Sequence, residues 1–283
     1  MPHLECVGDH FVHGYNTALE VWRAPALVEE FAPLPAKYRG FAYEGAAMAL
    51  TLLDLFAPWR RRFHQLLVDG AGEHCYMMHV GAGWALARIP SVLRRRVLGR
   101  LDPLLRWLAL DGLGFHCGFF DWVSSIVRKE VPAALHGYSR RAFDQGLGRS
   151  LWFVYGASVR EVEGVVGQFP AYRQDDLWSG LGLACAYAGG VDQEAIEALR
   201  GACRSALPQV AQGAAFAAEA REKAEIPTRH TDLACRILCG TSAAAAASVA
   251  RQEGRQLEPE RGVPAYEVWR RRIQRRLPRE AGS

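Results

Sequence analysis

A glycine that opens a helical segment recurs along this chain at nearly constant spacing. "GLGLACAY" at Gly180 has counterparts in "GYNTALEV" at Gly14, "GAAMALTL" at Gly45, "GAGWALAR" at Gly81, "GFHCGFFD" at Gly114, "GLGRSLWF" at Gly146 and "GAAFAAEA" at Gly213. Successive anchors lie 31, 36, 33, 32, 34 and 33 residues apart. Four residues after each anchor stands a small residue: Ala18, Ala49, Ala85, Gly118, Ser150, Ala184 or Ala217. Ala47, Gly83, Gly148, Gly182 and Ala215 add a second small position, which Asn16 and His116 break. An eighth, degenerate copy falls at Ala246, Ser248 and Ala250. Glycine inside a helix costs ~1 kcal/mol relative to alanine. Positions i and i+4 share one helical face, and a face bare of side chains lets a second helix come close. The stripe therefore predicts glycines at helix–helix contacts.

The rest of the chain agrees with helices. Alternating runs of Val, Ile, Thr and Tyr are nearly absent, and Ala, Leu, Arg and Glu abound, so the chain reads as all-α. Second helices lie between the anchors. "VDQEAIEALRGACRSALP" carries Ile196, Leu199, Ala202 and Cys203 and reads as ending at Pro208; "ASVREVEGVVGQFP" carries Val162, Val165, Val166 and Phe169 and reads as ending at Pro170. A helix–turn–helix unit of about 34 residues is the tetratricopeptide size class. The copy with Trp178, Leu181, Gly182, Ala195, Leu199, Ala202 and Pro208 resembles that consensus best. The expected fold is an α-solenoid of seven or eight tetratricopeptide-like hairpins over residues 8–254. Residues 255–283 form a basic tail or a capping helix, with Tyr266, Trp269 and Ile273 on one stripe and Arg270, Arg271, Arg275 and Arg276 around it.

In stacked hairpins the first helix usually lines the concave face. That register turns His13, Met48, Trp84, Phe120, Gln145, Arg149, Trp152, Tyr187, Gln212 and Phe216 inward, and Tyr43 and His79 flank the same stripe. The set is apolar and aromatic with separated polar groups, which suits a small molecule or a lipidic chain better than a charged peptide. Glu44 and Asp121 are candidate acid/base groups if a closed cavity desolvates them. His116 is a third candidate, because it stands where the repeat wants a small residue. For each, core packing or a buried ion pair is the competing reading, and the sequence leaves both open.

Several classes are excluded or unsupported. No P-loop, dinucleotide fingerprint, G-x-S-x-G elbow or H-E-x-x-H motif is present. His10 with His13, His74 with Cys75 and His79, and Cys235 with Cys239 lack further ligands, so neither a metal nor a cofactor is assigned. A net charge of +4 gives no nucleic-acid signal. No apolar run of ~18 residues suggests a membrane span, and the N-terminus lacks the pattern of a signal peptide. Seven irregularly spaced cysteines fit a reducing compartment, so the cytoplasm is the expected location. Oligomeric state and the presence of catalysis are left open.

Five longer motifs, "GFAYEGAAMALTLLD", "YMMHVGAGWALAR", "RRAFDQGLGRSLWFVYG", "DLWSGLGLACAYAGG" and "HTDLACRILCG", together resemble the UnbL family over roughly residues 10 to 270. The resemblance implies a protein of unknown function whose gene accompanies enediyne polyketide synthases in bacteria. It implies a role in making or maturing the enediyne core from a linear polyene. It brings no catalytic residue; the matching motif positions include Glu44, His79, Asp144, Gln145 and Arg149, and Cys117 departs from the family pattern. The partner it implies is a hydrophobic polyene or enediyne intermediate, with other pathway enzymes as further partners. Three function classes follow: a polyene-binding protein, an enzyme that cyclises or modifies the polyene, and a scaffold for other enzymes.

Overall fold

The structure is a computed structural model, and it describes residues 2–258, 260 and 262–278. Among them are fifteen α-helices and a single isolated bridge, Glu260 to Val263, so the chain is all-α. One compact unit holds α1 (Pro2–Glu20), α2 (Ala24–Phe31), α3 (Ala36–Phe56), α4 (Arg62–Asp69), α5 (Cys75–Ala87), α6 (Ser91–Leu98) and α7 (Arg106–Phe120) as far as Leu113, with residues 223–226. The other holds α7 from Gly114, then α8 (Tyr138–Val154), α9 (Val159–Val166), α10 (Ala171–Ala188), α11 (Gln193–Cys203), α12 (Leu207–Lys223), α13 (Arg229–Leu238), α14 (Ala243–Glu253) and α15 (Ala265–Arg276). No single helix among the described residues is long and apolar enough to cross a membrane.

All seven anchor glycines sit in long helices, which are α1, α3, α5, α7, α8, α10 and α12. Within each unit these helices pack directly on one another: α1 on α3, α3 on α5, and α8 on α10. The glycines make that possible. A Cβ at Gly14 would lie 1.9 Å from the Ala42 carbonyl oxygen, and one at Gly45 would lie 2.0 Å from that of Phe11. In the second unit a Cβ at Gly180 would lie 2.0 Å from the Gln145 oxygen, and one at Gly148 would lie 2.1 Å from that of Leu177. Gly182 meets Val210 and Gly213 meets Ser179 in the same way. The small residues four positions on, such as Ala18, Ala49, Ala85 and Ser150, are fully buried.

Burial explains why the long helices lack a clear polar face. Residues 40–51 of α3, 142–152 of α8 and 210–221 of α12 are buried without a break. A helix covered on every side needs no amphipathic stripe. The shorter α4, α9, α11 and α13 each bury one face, exemplified by Val162 and Val166 of α9 and Ile196 and Leu199 of α11. Side-chain caps start three of the short helices: Asp192 accepts from Ala195 N, Thr228 from Thr231 N and Ser242 from Ala245 N. The prolines are placed differently from the expectation. Pro170 is the cap residue of α10 and Pro208 lies in the first turn of α12. They open the next long helix, where a missing N–H costs nothing. The degenerate eighth copy lies in α14, with Ala246, Ala247 and Ala250 fully buried.

The two glycine classes should respond oppositely to alanine. Gly180→Ala is expected to destabilise by about 1–3 kcal/mol, because overpacking outweighs the gain in helix propensity. Gly201→Ala in α11, with no atom within 4 Å of the added methyl, should stabilise by up to ~1 kcal/mol. Urea unfolding midpoints of the two variants against the parent chain check both signs.

Candidate functional site

In the second unit, α7 ends beside an exposed aromatic shelf. Gly114 and Gly118 press α7 onto α8, where added Cβ atoms would meet the Phe143 oxygen at 1.9 Å and Ser150 Oγ at 2.0 Å. The bulky residues of this segment therefore occupy the helix's other faces. Phe119, Phe120 and Trp122 are 41%, 55% and 48% exposed, and Val123 and Val127 are exposed too. The rings touch in series: Phe115 to Phe119 at 6.1 Å, Phe119 to Phe120 at 5.1 Å, and Phe120 to the buried His116 at 4.8 Å. The Arg149 guanidinium lies 5.1 Å over Phe115, which also meets Phe153 edge-on at 5.2 Å. Behind the shelf the chain widens into a π-turn at Val123–Val127, where Arg128 N donates to the Val123 carbonyl at 3.0 Å. Such wide turns are rare and concentrate at functional sites. Asp121 is exposed and accepts from Ser124 Oγ at 2.9 Å, and Ser124 Oγ in turn accepts from Arg128 at 2.7 Å.

Of the sequence candidates, His116 and Phe120 are in ring contact here, Arg149 lies over Phe115, and Asp121 bonds Ser124 at the end of the segment. His116, standing where a small residue was expected, is buried, with its ring 4.8 Å from that of Phe120 one turn on. Phe119, Trp122 and the π-turn were missed. Their signal was the run "GFFDWVSSIV", bulky apolar residues without helical periodicity just past the stripe.

The first unit gathers a second set. Trp84 Nε1 donates to Glu44 Oε1 at 3.0 Å, and both are buried. The contact follows from the stripe: the Glu44 carbonyl oxygen lies 2.0 Å from where a Gly81 Cβ would sit, and Trp84 is three residues on. Phe11 packs on Trp84 at 4.4 Å. Tyr43 stacks on His74 at 4.3 Å and meets Phe31 edge-on at 5.0 Å. Burial, with Glu73 nearby, pushes the Tyr43 phenol up to about 12. His79 is fully buried; its Nδ1 bonds the Cys75 carbonyl at 2.7 Å, and burial lowers its pKa, so the ring is neutral. Met48 is buried, whereas His13 is exposed beside Phe31 at 6.2 Å. Glu44 thus belongs to one unit, and His116 and Asp121 to the other.

The remaining candidates lie in the second unit, several of them under α15. Tyr266, Trp269 and Ile273 of that helix are buried, and Tyr266 and Trp269 pack on Phe216 at 5.9 and 4.5 Å. Gln145 Nε2 donates to Tyr266 Oη at 3.1 Å. Gln212 Oε1 accepts from Ser179 Oγ at 2.9 Å and from Arg270 Nε at 3.0 Å. Arg270, expected among solvated arginines, is instead fully buried. It ion-pairs Asp176 at 2.7 Å and Glu267 at 3.2 Å, while Arg141 bridges the same two carboxylates at 2.9 and 2.7 Å. Tyr138 Oη donates to Glu267 at 2.9 Å. Burial works against ionised Glu267, but Arg270 and Arg141 hold its carboxyl below the usual range. Asp144 is clamped by the Arg173 guanidinium, which also donates to the Lys129 carbonyl at 2.7 Å. Trp152 is fully buried and donates to the Gly189 carbonyl at 2.8 Å; Tyr187 lies 4.0 Å under Arg221.

Among the described residues no group of three His, Cys, Asp or Glu side chains is arranged to hold a metal ion. All seven cysteines are free thiols, and burial pushes Cys185 up to about 12 and Cys203 up to about 11. Neither is a thiolate nucleophile near neutrality. Residues 1–277 match a family described as a protein of unknown function (DUF1702). No curated protein and no solved structure matches the chain.

Arg270→Met should remove the fully buried cation shared by Asp176 and Glu267, leaving them only the part-exposed Arg141, and cost up to about 3–5 kcal/mol. Adding Asp176→Leu and Glu267→Leu to that variant should recover most of the loss, read as unfolding midpoints. Because the folded pKa of Glu267 is depressed, its contribution is complete above its unfolded value of 4.5 and is lost as pH falls through the folded one. Between pH 6 and pH 3 the parent chain should therefore lose more stability than Glu267→Gln.

Proposed function

This chain belongs to the DUF1702 family, and we propose that it binds a linear polyene or enediyne-core intermediate, holding the conjugated chain against the aromatic shelf of α7. The observation that carries this reading is the contiguous exposure of Phe119, Phe120 and Trp122 beside the π-turn. Contiguous exposed apolar residues are where interaction sites are looked for, and ring faces are complementary to a flat conjugated chain. The resemblance to the UnbL family supplies the polyene and the biosynthetic setting. The finer architecture of this reading is an α-solenoid of tetratricopeptide-like hairpins. It rests on the alternation of long glycine-bearing and short helices inside each unit. The reading places the protein in the cytoplasm and needs no cofactor or metal.

An enzyme that cyclises or modifies the polyene is the second reading, favoured by His116 and Asp121 standing near one shelf. Against it, Asp121 is solvated and bonded to Ser124, and Glu44 is bonded to Trp84. A scaffold for other pathway enzymes would use the same exposed rings for protein contact.

The probe is diphenylhexatriene, a neutral conjugated triene that fluoresces when shielded from water. It should bind the parent chain saturably. Phe120→Ser with Trp122→Ser should weaken binding by about five- to 150-fold, as expected for losing ~1–3 kcal/mol of apolar contact, without lowering the thermal midpoint. Equal affinity in the double variant would remove the shelf from consideration. Slow loss of polyene absorbance in the parent chain, abolished by His116→Gln or Asp121→Asn, would turn the assignment to the enzyme.

A further inference from the structure

The first unit holds a cavity of about 370 Å3 where the end of α3, the turn after it, α4 and the end of α6 meet. That volume lies within the ~300–1,000 Å3 typical of small-molecule sites. Leu55, Phe63, Val97 and Leu101 give it a mainly apolar wall. Its polar groups divide into two kinds. Thr51 is occupied, donating to the Ala47 carbonyl at 2.7 Å. Asp54 is also occupied: its two oxygens accept from Arg62 N at 3.0 Å and Phe63 N at 3.1 Å, and it ion-pairs Arg62 at 3.3 Å. Its negative charge is thus engaged at the start of α4.

The cations facing the cavity are not engaged in this way. In the run Arg60-Arg61-Arg62, Arg62 pairs with Asp54 and Arg60 lies 5.5 Å over the Trp22 ring. Arg61 and Arg100 line the cavity and make no ion pair or ring contact among the described residues, and His64 stands beside them. Arg61 also has a left-handed backbone, φ 50° and ψ 40°. Glycine would take that conformation freely, and a side chain rarely does. The chain keeps an arginine there, and strained residues of this kind cluster at ligand-holding sites.

The geometry points to a binding site for a small apolar molecule bearing one anionic group, carboxylate or phosphate. The apolar body packs on Leu55, Phe63, Val97 and Leu101, and Arg61 and Arg100 meet the anion. Guanidinium groups are well suited to either head group. This site lies wholly within the first unit and is independent of the aromatic shelf.

Isothermal titration calorimetry on the full chain tests it, with sodium octanoate, octyl phosphate, n-octanol and inorganic phosphate as probes. One octanoate or octyl phosphate should bind per chain, and the tighter of the two identifies the head group. Octanol and inorganic phosphate should each bind at least tenfold more weakly. Arg61→Gln and Arg100→Gln should each weaken the better amphiphile by three- to tenfold with an unchanged thermal midpoint, since both side chains are exposed. Leu101→Trp, which fills the cavity, should abolish binding. Octanol as tight as octanoate, no binding of either anionic amphiphile, or full affinity retained in both arginine variants or in Leu101→Trp would overturn the proposal.

Discussion

Main-chain carbonyl oxygens of one long helix occupy the places where methyl groups of its neighbour would be. A Cβ at Gly14, Gly45, Gly81, Gly180 or Gly213 would lie about 2 Å from such an oxygen, well inside any tolerated contact. At this range backbone packs on backbone, and weak Cα–H···O contacts become available along the crossing. The lost helix propensity is offset by dispersion over a closely approached seam. Each seam therefore admits one register: sliding a helix by a single residue would drive a side chain into a carbonyl.

That register decides which polar groups meet. The residue just before an anchor lies at the edge of the seam. Glu44 precedes Gly45 and reaches Trp84; Gln212 precedes Gly213 and receives Ser179, which itself precedes Gly180. Gln145 precedes Gly146 and bonds Tyr266. These side chains are buried because the helices are close, and they are hydrogen-bonded because burial without a partner would be costly. Glu44, a candidate acid/base group in the sequence, and Gln145 and Gln212, read there as facing a groove, are each hydrogen-bonded at the edge of a seam within their own unit.

The stripe was legible because it is a local pattern repeated seven times, and steric exclusion leaves few other uses for it. Helix content was legible for the same reason. Long-range complements were not. Glu267, three residues before Arg270, is a local partner, but Asp176 lies 94 residues away, and an arginine among arginines reads as solvated. Gln145, Gln212 and Phe216 were read as facing a groove; all three contact α15, which no periodicity in the sequence reveals. Pro208 was taken for a stop because a proline between helices punctuates equally well from either side. The cavity walls were invisible for a different reason. Arg61, Phe63, Arg100 and Leu101 belong to turns and short helices outside the repeat.

The position of α15 settles which part of the second unit is left to face other molecules. A buried ion-pair network is weak evidence of net stability, but it penalises every misplacement of the helix that carries it. Arg270 has Asp176, Glu267 and Gln212 as partners, and Arg141 and Tyr138 close the same cluster. A helix shifted by one turn would bury several of these charges unpaired. The long-helix face around Gln145, Gln212 and Phe216 is therefore committed to the chain's own C-terminal helix. Among the described residues of that unit, exposed large apolar side chains include Phe119, Phe120 and Trp122 at the far end of α7 and Tyr172 of α10. Of these, the residues at the end of α7 lie next to one another, and contiguous exposed apolar residues are the better ground for a binding test than single ones.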